Sequence, residues 1–483
     1  MIPAAFFLVV NFAASGVKIL FFSRLLYFLF LISLFLILRR FNLDRILKAA
    51  VGGSAIIIFL YGIVQKFVLF PIYLKQVNPG DNFYSQALVA RIKTGRIFSI
   101  FSLPTLYAII CAVLTLFIFH YLLTSPKDKK SKFFWTFLLL AGLFNLALTQ
   151  SFGGILYLSV GIFIYLLLSG ILDFKYLAPA AMVLSLFLFI TIALRFSEAK
   201  ELEPITLRFS NWQQSARMIE ASPFWGSGLG NYETEISYYT MPGEAKSIYA
   251  HNFFLQFIAE TGIIITCIIG LFLVISRKKL KPHRYKDKVL YISVFLMAVF
   301  YSTIDIGIYF FAAGITAVVA LSQVYIYPGQ NKKVKPGLWA IFGLLAILLL
   351  VEAVSDNYRK KGDFLRSQRD YAAAEIEYKK SLTVNPYNFK SQVGRAHVNL
   401  FSAVNDKNMQ LNAEKYLDKA LNIYPGSAYG NYLKSKIEFK KSHLFRSFYY
   451  AAKAYNKNKR NDHYKQWYRL LKNTLETGLL KKK

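Results

Sequence analysis

The stretch Gly262-Ile-Ile-Ile-Thr-Cys-Ile-Ile-Gly-Leu-Phe-Leu-Val-Ile275 contains no charged residue. Uninterrupted apolar blocks of this kind recur over the first 354 residues, whereas surface helices and strands of soluble proteins alternate apolar and polar positions. Over the whole chain 55% of the residues are hydrophobic and 17% are charged, and soluble domains carry about a quarter charged residues. The composition therefore excludes a soluble globular enzyme and predicts an all-α, polytopic membrane protein.

The apolar blocks match the length of membrane-spanning helices, since a bilayer core is crossed by about 20 helical residues. We predict about 11 transmembrane helices, of which the first two are interrupted by Lys18 and Arg24. The predicted spans are 4–21, 22–38, 48–69, 104–123, 134–150, 152–170, 177–194, 251–275, 288–304, 306–326 and 337–354.

The distribution of Lys and Arg between the spans predicts the orientation. Four short loops, near 39–48, 127–132, 277–288 and 332–335, are dense in basic residues and are therefore expected in the cytoplasm. Segment 70–103 and everything after 354 then lie outside. Segment 195–250, with five basic and seven acidic residues, also lies outside. The chain thus divides into a transmembrane domain, 1–354, whose large external loop is 195–250, and an external domain, 355–483.

The net charge of +32 does not indicate nucleic-acid binding, because the basic residues stand in short clusters between apolar blocks. Cys111 and Cys267 both lie inside apolar blocks. Neither a disulfide framework nor a cysteine-based metal site is therefore expected.

Beyond residue 354 small and aromatic residues recur at fixed offsets, twice followed by proline. This pattern resembles tetratricopeptide repeats, in which small residues let paired helices pack closely and the proline ends the second helix. The alternative is an amphipathic helical tail without repeats. The tail has 27 basic and 11 acidic residues, a net charge of +16 that suits an anionic surface or polymer. The repeated positions are Ala374, Tyr378, Ser381 and Pro386; Ala413, Leu417, Ala420 and Pro425; and Ser447, Ala451 and Ala454.

The predicted external segment 90–104 carries Arg91, Lys93 and Arg96 just before a span. Basic residues on the outer side run against the usual bias, which favours a function that retains them. Arginine suits phosphate because its planar guanidinium donates two parallel hydrogen bonds and stays protonated. The alternative is that these side chains reach lipid phosphates at the membrane surface.

The long external loop begins with a short amphipathic helix that carries Arg208 and Arg217. Gly226, Gly228 and Gly230 follow without a surrounding βαβ unit, which excludes a dinucleotide fingerprint. We expect these glycines to let the loop turn tightly and to bring backbone N–H groups near a ligand.

His251 stands where the loop enters a span. Its imidazole is able to take a proton from a hydroxyl near neutral pH. The alternative is an amphipathic residue at the membrane interface with no catalytic role.

In their order along the chain, these features resemble the signature loop of the O-antigen ligase and O-antigen polymerase superfamily, polytopic enzymes that use undecaprenyl-pyrophosphate-linked glycans. Where the ligase pattern has Leu, this chain has Trp212. The resemblance covers roughly 50–326, with supporting motifs at 61–65, 96–104, 149–154 and 305. The signature itself comprises Arg208, Trp212, Gly226-Ser-Gly-Leu-Gly230, Ala250-His-Asn252 and Gly262.

The resemblance implies glycosyl transfer on the outer face of the bacterial cytoplasmic membrane. It implies that Arg91, Arg96 and Arg208 hold the pyrophosphate of an undecaprenyl-linked glycan donor, with Arg217 as a weaker candidate. Arginines suit this role because fixed positive charge stabilises the leaving group as its charge develops.

On the acceptor side, the resemblance implies that His251 orients or deprotonates the acceptor hydroxyl, with inversion at the sugar carbon. Asn252 would fix the imidazole tautomer, and Gly226, Gly228 and Gly230 would shape the acceptor side. The sequence has no acidic metal cage near these residues, so we expect neither a metal nor a cofactor.

The acceptor stays open among lipid A core, a growing glycan and a protein. The protein contacts membrane lipid, and its tail is a candidate for recruiting a protein partner. The runner-up is a transporter or flippase of lipid-linked sugars, which would show repeated spans and broken helices at mid-membrane. A third reading is an inactive scaffold, which the presence of Arg208 and His251 disfavours.

Overall fold

The structure is a computed structural model, and every element in its described residues is helical. This confirms the predicted all-α class for that part of the chain. The described residues are 9–76, 89, 92–101, 103–124, 128–171, 203–241, 243–245, 247–279, 288–305, 307–309, 311–325, 333–402 and 407–480.

The helices are labelled here in chain order. A π-helical turn, Gln65–Leu69, and a short helix, Phe70–Gln76, continue α2. The labelled helices are α1 Lys18–Leu38, α2 Asp44–Val64, α3 Pro104–Thr124, α4 Lys129–Leu148, α5 Phe152–Leu168, α6 Glu203–Ala221, α7 Tyr232–Tyr239, α8 Phe253–Lys279, α9 Val289–Ile304, α10 Phe311–Val324, α11 Pro336–Ser367, α12 Tyr371–Val384, α13 Phe389–Ser402, α14 Lys407–Ile423, α15 Ala428–Lys440, α16 Leu444–Lys457 and α17 Asp462–Leu480.

Among the described residues, six helices are long and apolar enough to cross a membrane, and α5, α9 and α10 are shorter apolar helices. The protein is therefore a multi-pass membrane protein. The predicted span 177–194 lies outside the described residues, and the total of about 11 spans stays a prediction. The six long stretches are Lys18–Leu38, Asp44–Lys75, Pro104–Thr124, Lys129–Leu148, Phe253–Leu271 and Pro336–Ser367.

The predicted boundary between the first two spans is wrong. Residues 21 and 22 lie inside α1, which is continuous from Lys18. The chain breaks earlier, at residues 15–17, after a helical segment that covers 9–14. Lys18 donates hydrogen bonds from Nζ to the carbonyls of Phe12 (2.5 Å) and Ala13 (2.7 Å). A lysine that caps the last carbonyls of a helix stabilises its end, which explains why the helical segment stops before Lys18.

The chain forms two compact units, and each unit is built from segments that are separate in the sequence. One comprises Leu31–Thr206 and Ile275–Ile341, and its core is α3. Most side chains of α3 are buried between α2, α4, α5 and α9, as expected for a helix that is apolar on all sides. Tyr107 of α3 donates its hydroxyl to Asn145 Oδ1 of α4 at 2.7 Å. This hydrogen bond satisfies two polar groups in an otherwise apolar core.

The other unit comprises Met1–Phe30, Leu207–Val274 and Phe342–Lys483. In its tail the successive helices from α12 to α17 pack against one another. Every non-proline repeat position named above is buried. Small hydroxyls meet where helices touch, as in the Ser435–Ser447 contact at 3.1 Å. The assignment as tetratricopeptide repeats stays a prediction.

Helix α11 runs through residue 354 without interruption. The apolar span therefore continues directly into the polar tail within one helix. The division of the chain at this residue into a transmembrane domain and an external domain stays a prediction.

Candidate active site

Helix α6 connects two residues of the predicted site. Trp212 lies one turn after Arg208, and residues four apart share a face of a helix. The indole Nε1–H of Trp212 donates to the backbone carbonyl of His251 at 3.4 Å. The face of α6 that carries Arg208 is therefore the face that contacts the His251 backbone.

Residues 250–252, called here the His251 turn, have a backbone conformation that hydrogen bonds from nearby side chains hold in place. His251 has a φ of 51°, a left-handed conformation that is uncommon outside glycine and is held by its surroundings. The Asn252 side chain accepts the N–H of Leu255 at 3.0 Å, the usual arrangement at the start of a helix. Gln256 accepts the N–H of Ala250 at 3.2 Å. These bonds place His251 immediately before the first turn of α8.

Helix α8 is broken at Gly262, whose φ and ψ are 78° and 166°. The residues 222–231, called here the glycine loop, supply the missing hydrogen bonds at the break. Ser227 N–H donates to the Ala259 carbonyl at 3.0 Å, and Ile263 N–H donates to the Pro223 carbonyl at 2.8 Å. A Cβ at residue 262 would lie 2.1 Å from the Phe224 carbonyl oxygen, so only glycine fits there.

Glu260, with 1% of its surface exposed, joins the glycine loop to the His251 turn. Its carboxylate accepts the N–H of Gly230 at 2.9 Å and the side-chain amide of Gln256 at 3.2 Å. Its carbonyl accepts the N–H of Gly228 at 2.9 Å. A buried carboxylate needs such donors to offset the loss of water.

The three loop glycines pack tightly against other parts of the protein. All have positive φ, and a Cβ on Gly228 would lie 2.5 Å from Ser15 Cα. Gly226 N–H donates to the Ser222 carbonyl at 3.1 Å, and the N–H groups of Gly228 and Gly230 donate to Glu260. Each of these N–H groups thus has a protein acceptor in this structure, and the close contacts show that the glycines allow tight packing. A contact of the glycines with substrate stays a prediction.

The N-terminal segment holds the glycine loop from the other side. Asn11, fully buried, donates to the carbonyls of Trp225 (2.6 Å) and Glu260 (2.9 Å) and accepts the N–H of Leu229 (3.0 Å). Asn231 accepts the N–H of Val17 at 2.8 Å. Asn11 therefore anchors the interior of the loop, and Asn231 anchors its C-terminal end.

Arg217 forms an ion pair with Glu244. Its Nη2 contacts both carboxylate oxygens of Glu244, at 2.6 and 2.5 Å. Burial raises the pKa of the Glu244 carboxyl, but hydrogen bonds from Arg217 and from the Met241 N–H outweigh it and hold the net pKa below its usual range. Arg217 also stands nine residues after Arg208, about two and a half turns, so the two side chains leave opposite faces of α6. The structure does not place them together.

Arg96 belongs to the other compact unit. Its Nε donates to the Thr149 carbonyl at 2.9 Å. The following residues, Phe98 and Ser99, donate their N–H groups to Gln65 Oε1, both at 2.8 Å. Three motifs of the family order thus meet around Arg96. Arg91 lies outside the described residues.

Asp305, the remaining family-order position, directly follows α9 and is buried. Its Oδ2 accepts the hydroxyl of Tyr301 at 2.9 Å.

The model of the family described as O-Antigen ligase matches residues 136–270. This part of the chain is therefore similar to the O-antigen ligase domain. The matched stretch of this O-antigen ligase domain includes Arg208, the glycine loop, the His251 turn and the break at Gly262, and the resemblance drawn from the loop is confirmed. No curated protein matches the chain significantly.

The match supports glycan transfer of the O-antigen ligase and polymerase type in general. Within the described ranges no three His, Cys, Asp or Glu side chains are grouped as metal ligands would be. Metal independence stays a prediction.

Sequence reasoning missed Gln256 and Glu260 of the matched stretch, and it missed Asn11 of the N-terminal segment. The signal for Gln256 and Glu260 was present, since two polar residues four positions apart stand inside a block of spanning length. Asn11 gave a weaker signal, because its partners are more than 200 residues away in sequence.

Proposed function

We propose that the O-antigen ligase domain transfers a glycan from an undecaprenyl-pyrophosphate-linked donor to an acceptor hydroxyl on the outer face of the cytoplasmic membrane. The observation that carries the proposal is the contact of Trp212 with the His251 carbonyl. It joins the face of α6 that bears Arg208 to the residue best suited to activate a hydroxyl, inside the stretch that matches the family.

His251 acts as the base. Its imidazole accepts the proton of the acceptor hydroxyl while the acceptor oxygen forms a bond to the anomeric carbon. The bond from that carbon to the phosphate oxygen breaks, and undecaprenyl pyrophosphate leaves with the bonding electrons. Attack from the side opposite the leaving group inverts the anomeric configuration. Asn252 and the glycine loop support the acceptor side through the bonds that fix the His251 turn.

Arg208 binds the pyrophosphate, together with Arg96 and Arg91. Two parallel hydrogen bonds from a guanidinium match the phosphate oxygens, and the fixed charge stabilises the leaving group as the glycosidic bond breaks. This stabilisation needs no metal ion. Arg217 is the weakest member of the set, because its Nη2 already serves Glu244.

The orientation rests on the basic loops predicted to face the cytoplasm, with the glycine loop, the His251 turn and the tail outside. Lipid A core, a growing glycan and a protein are acceptors of the same chemistry. In this proposal the tail, with its net charge of +16, recruits one of them or a protein partner.

The test is transfer of labelled glycan by the protein in lipid nanodiscs supplied with the undecaprenyl-linked donor and each acceptor class in turn. We expect labelled acceptor and free undecaprenyl pyrophosphate, with the same rate in the presence of a chelator. Arg208→Ala is expected to lower kcat/KM for the donor by about 100-fold, and Arg469→Ala, at an exposed tail arginine, to leave it unchanged. In sealed proteoliposomes, donor that crosses the bilayer with its glycosidic bond intact would instead indicate a transporter.

A further inference from the structure

Helix α7 of the long loop contacts the tail through charged side chains. Glu235 forms an ion pair with Lys457 of α16, and Glu233 pairs with Lys390 of α13 at 2.8 Å. The Glu235–Lys457 side chains are 18% and 19% exposed, whereas the Glu233–Lys390 side chains are 42% and 32% exposed. Exposed ion pairs contribute little to stability because water screens their charges. The less exposed Glu235–Lys457 pair therefore contributes more to the contact between α7 and the tail than the Glu233–Lys390 pair does.

A buried tyrosine adds to the same contact. Tyr424, directly after α14, donates its hydroxyl to the Thr234 carbonyl of α7 at 3.1 Å. Its ring packs edge-on against Phe389, with ring centroids 5.4 Å apart, and both cluster with the buried Val17. Lys390 of α13, Lys457 of α16 and Tyr424 thus contact three consecutive residues of α7.

The same short helix packs inward against the candidate site. Tyr232 and Ile236, one turn apart, are buried in a cluster with Met218 of α6 and with Ala250, the residue before His251. The Tyr232 hydroxyl meets Ser215 of α6 at 2.7 Å. Helix α7 therefore contacts the tail, the helix of Arg208 and the His251 turn.

The start of α7 is tied to the same network. Glu260 accepts the N–H of Gly230 at 2.9 Å and that of Tyr232 at 3.4 Å. Negative charge at a helix N-terminus is favourable because the first N–H groups lack partners within the helix. A displacement of α7 would therefore disturb Glu260, and through Gln256 it would disturb the backbone at Ala250.

We propose that the tail holds α7 in place: Lys457 and Tyr424 keep this helix in the position that fixes the His251 turn. These contacts of the tail with α7 are called here the clamp. This inference rests on the proposed function and assigns a part in it to the tail. Lys457, Lys390 and Tyr424 are positioning residues, since they act on the site through α7. Binding of another molecule to the tail would reach His251 by the same route.

The opposite charges of the clamp allow a swap experiment on the full-length protein in nanodiscs. The variants are Glu235→Lys, Lys457→Glu and the two combined, with Lys419→Glu, at an exposed lysine of α14, as the control for net charge. The measurements are hydrogen exchange of residues 232–239 and 250–256, and kcat and KM for the donor.

Each single variant is expected to speed exchange in both segments by about tenfold, since local opening reports lost contacts, and to lower kcat by about fivefold with little change in KM. The combined variant is expected to restore exchange and kcat to within about twofold, because the pair is re-formed with reversed charges. The control should match the wild type in both measurements.

Wild-type exchange and kcat in both single variants would overturn the clamp. So would a combined variant no better than the worse single one, because the contact would then not depend on the pair. Absence of transfer by the wild-type protein would refute the proposed function, and hydrogen exchange would still decide whether the tail holds α7.

Discussion

The indole N–H of Trp212 donates to the backbone carbonyl of His251 at 3.4 Å, across 39 residues of sequence. The ligase pattern has Leu at this position, and Leu has no donor. This chain thus gains a direct tie between α6 and a residue held at a φ of 51°. The departure from the pattern therefore adds one hydrogen bond to the His251 turn.

Removing the indole donor should loosen that turn. We expect Trp212→Phe and Trp212→Leu each to cost about 0.5–1.5 kcal/mol, toward the lower end because the bond is long. That corresponds to a fall in kcat of roughly twofold to tenfold. Trp339→Phe, at an exposed tryptophan of α11, is the matched control in the transfer assay. A wild-type kcat in both Trp212 variants would mean that the tie does not support catalysis.

Two glycines of the long loop offer a matched pair. Gly228 and Gly243 both have positive φ, 96° and 88°, but a Cβ would lie 2.5 Å from Ser15 Cα at Gly228 and meet nothing within 4 Å at Gly243. Gly243→Ala should cost only the left-handed backbone penalty, about 1–2 kcal/mol.

Gly228→Ala should cost several kcal/mol more, since overpacking against backbone adds to that penalty. The measurement is the thermal midpoint of each purified variant, with the amount of folded protein as a second readout. Equal midpoints for the two variants would contradict the tight packing of the glycine loop against the N-terminal segment.

The Arg217–Glu244 pair predicts a pH dependence of loop stability. The folded-state pKa of Glu244 lies below its usual value near 4.5. Its stabilisation is therefore fully present above that value and is lost as the pH falls through the lower, folded-state pKa. Wild-type protein should lose thermal stability in this acid range more steeply than Glu244→Gln.

The control for that comparison is Glu220→Gln, at an exposed carboxylate of α6, which should follow the wild type. Arg217→Ala should likewise lower stability near neutral pH, and it should lower kcat/KM for the donor far less than Arg208→Ala does. Identical acid profiles for wild type and Glu244→Gln would show that the pair adds no pH-dependent stability.

Much of the fold follows from the apolar runs. The predicted spans 104–123 and 288–304 agree closely with Pro104–Thr124 and Val289–Ile304, because long uninterrupted runs have few alternatives to a helix in a bilayer. The early boundary at 21 and 22 failed because nothing at those residues stops a helix, whereas Lys18 caps the preceding segment.

The break in α8 could not be predicted from local sequence. A glycine inside an apolar helix is common, and Gly262 interrupts the helix because Pro223 and Ser227 supply partners for the freed backbone groups. The clamp on α7 was equally hidden, since Glu235 and Lys457 are 222 residues apart. Contacts between distant surface charges leave no periodic trace in a sequence.

The central claim is that His251 activates the acceptor hydroxyl, and His251→Asn tests it most directly. Asn tolerates the left-handed backbone that His251 adopts, so the turn should survive while the base is lost. Ser442→Asn, at another left-handed residue (φ 60°), is the control.

The measurement is kcat for transfer of labelled glycan from the undecaprenyl-linked donor, with donor binding recorded in parallel. We predict a loss of about 100-fold or more in kcat with unchanged donor affinity. Transfer by His251→Asn at the wild-type rate would contradict the account.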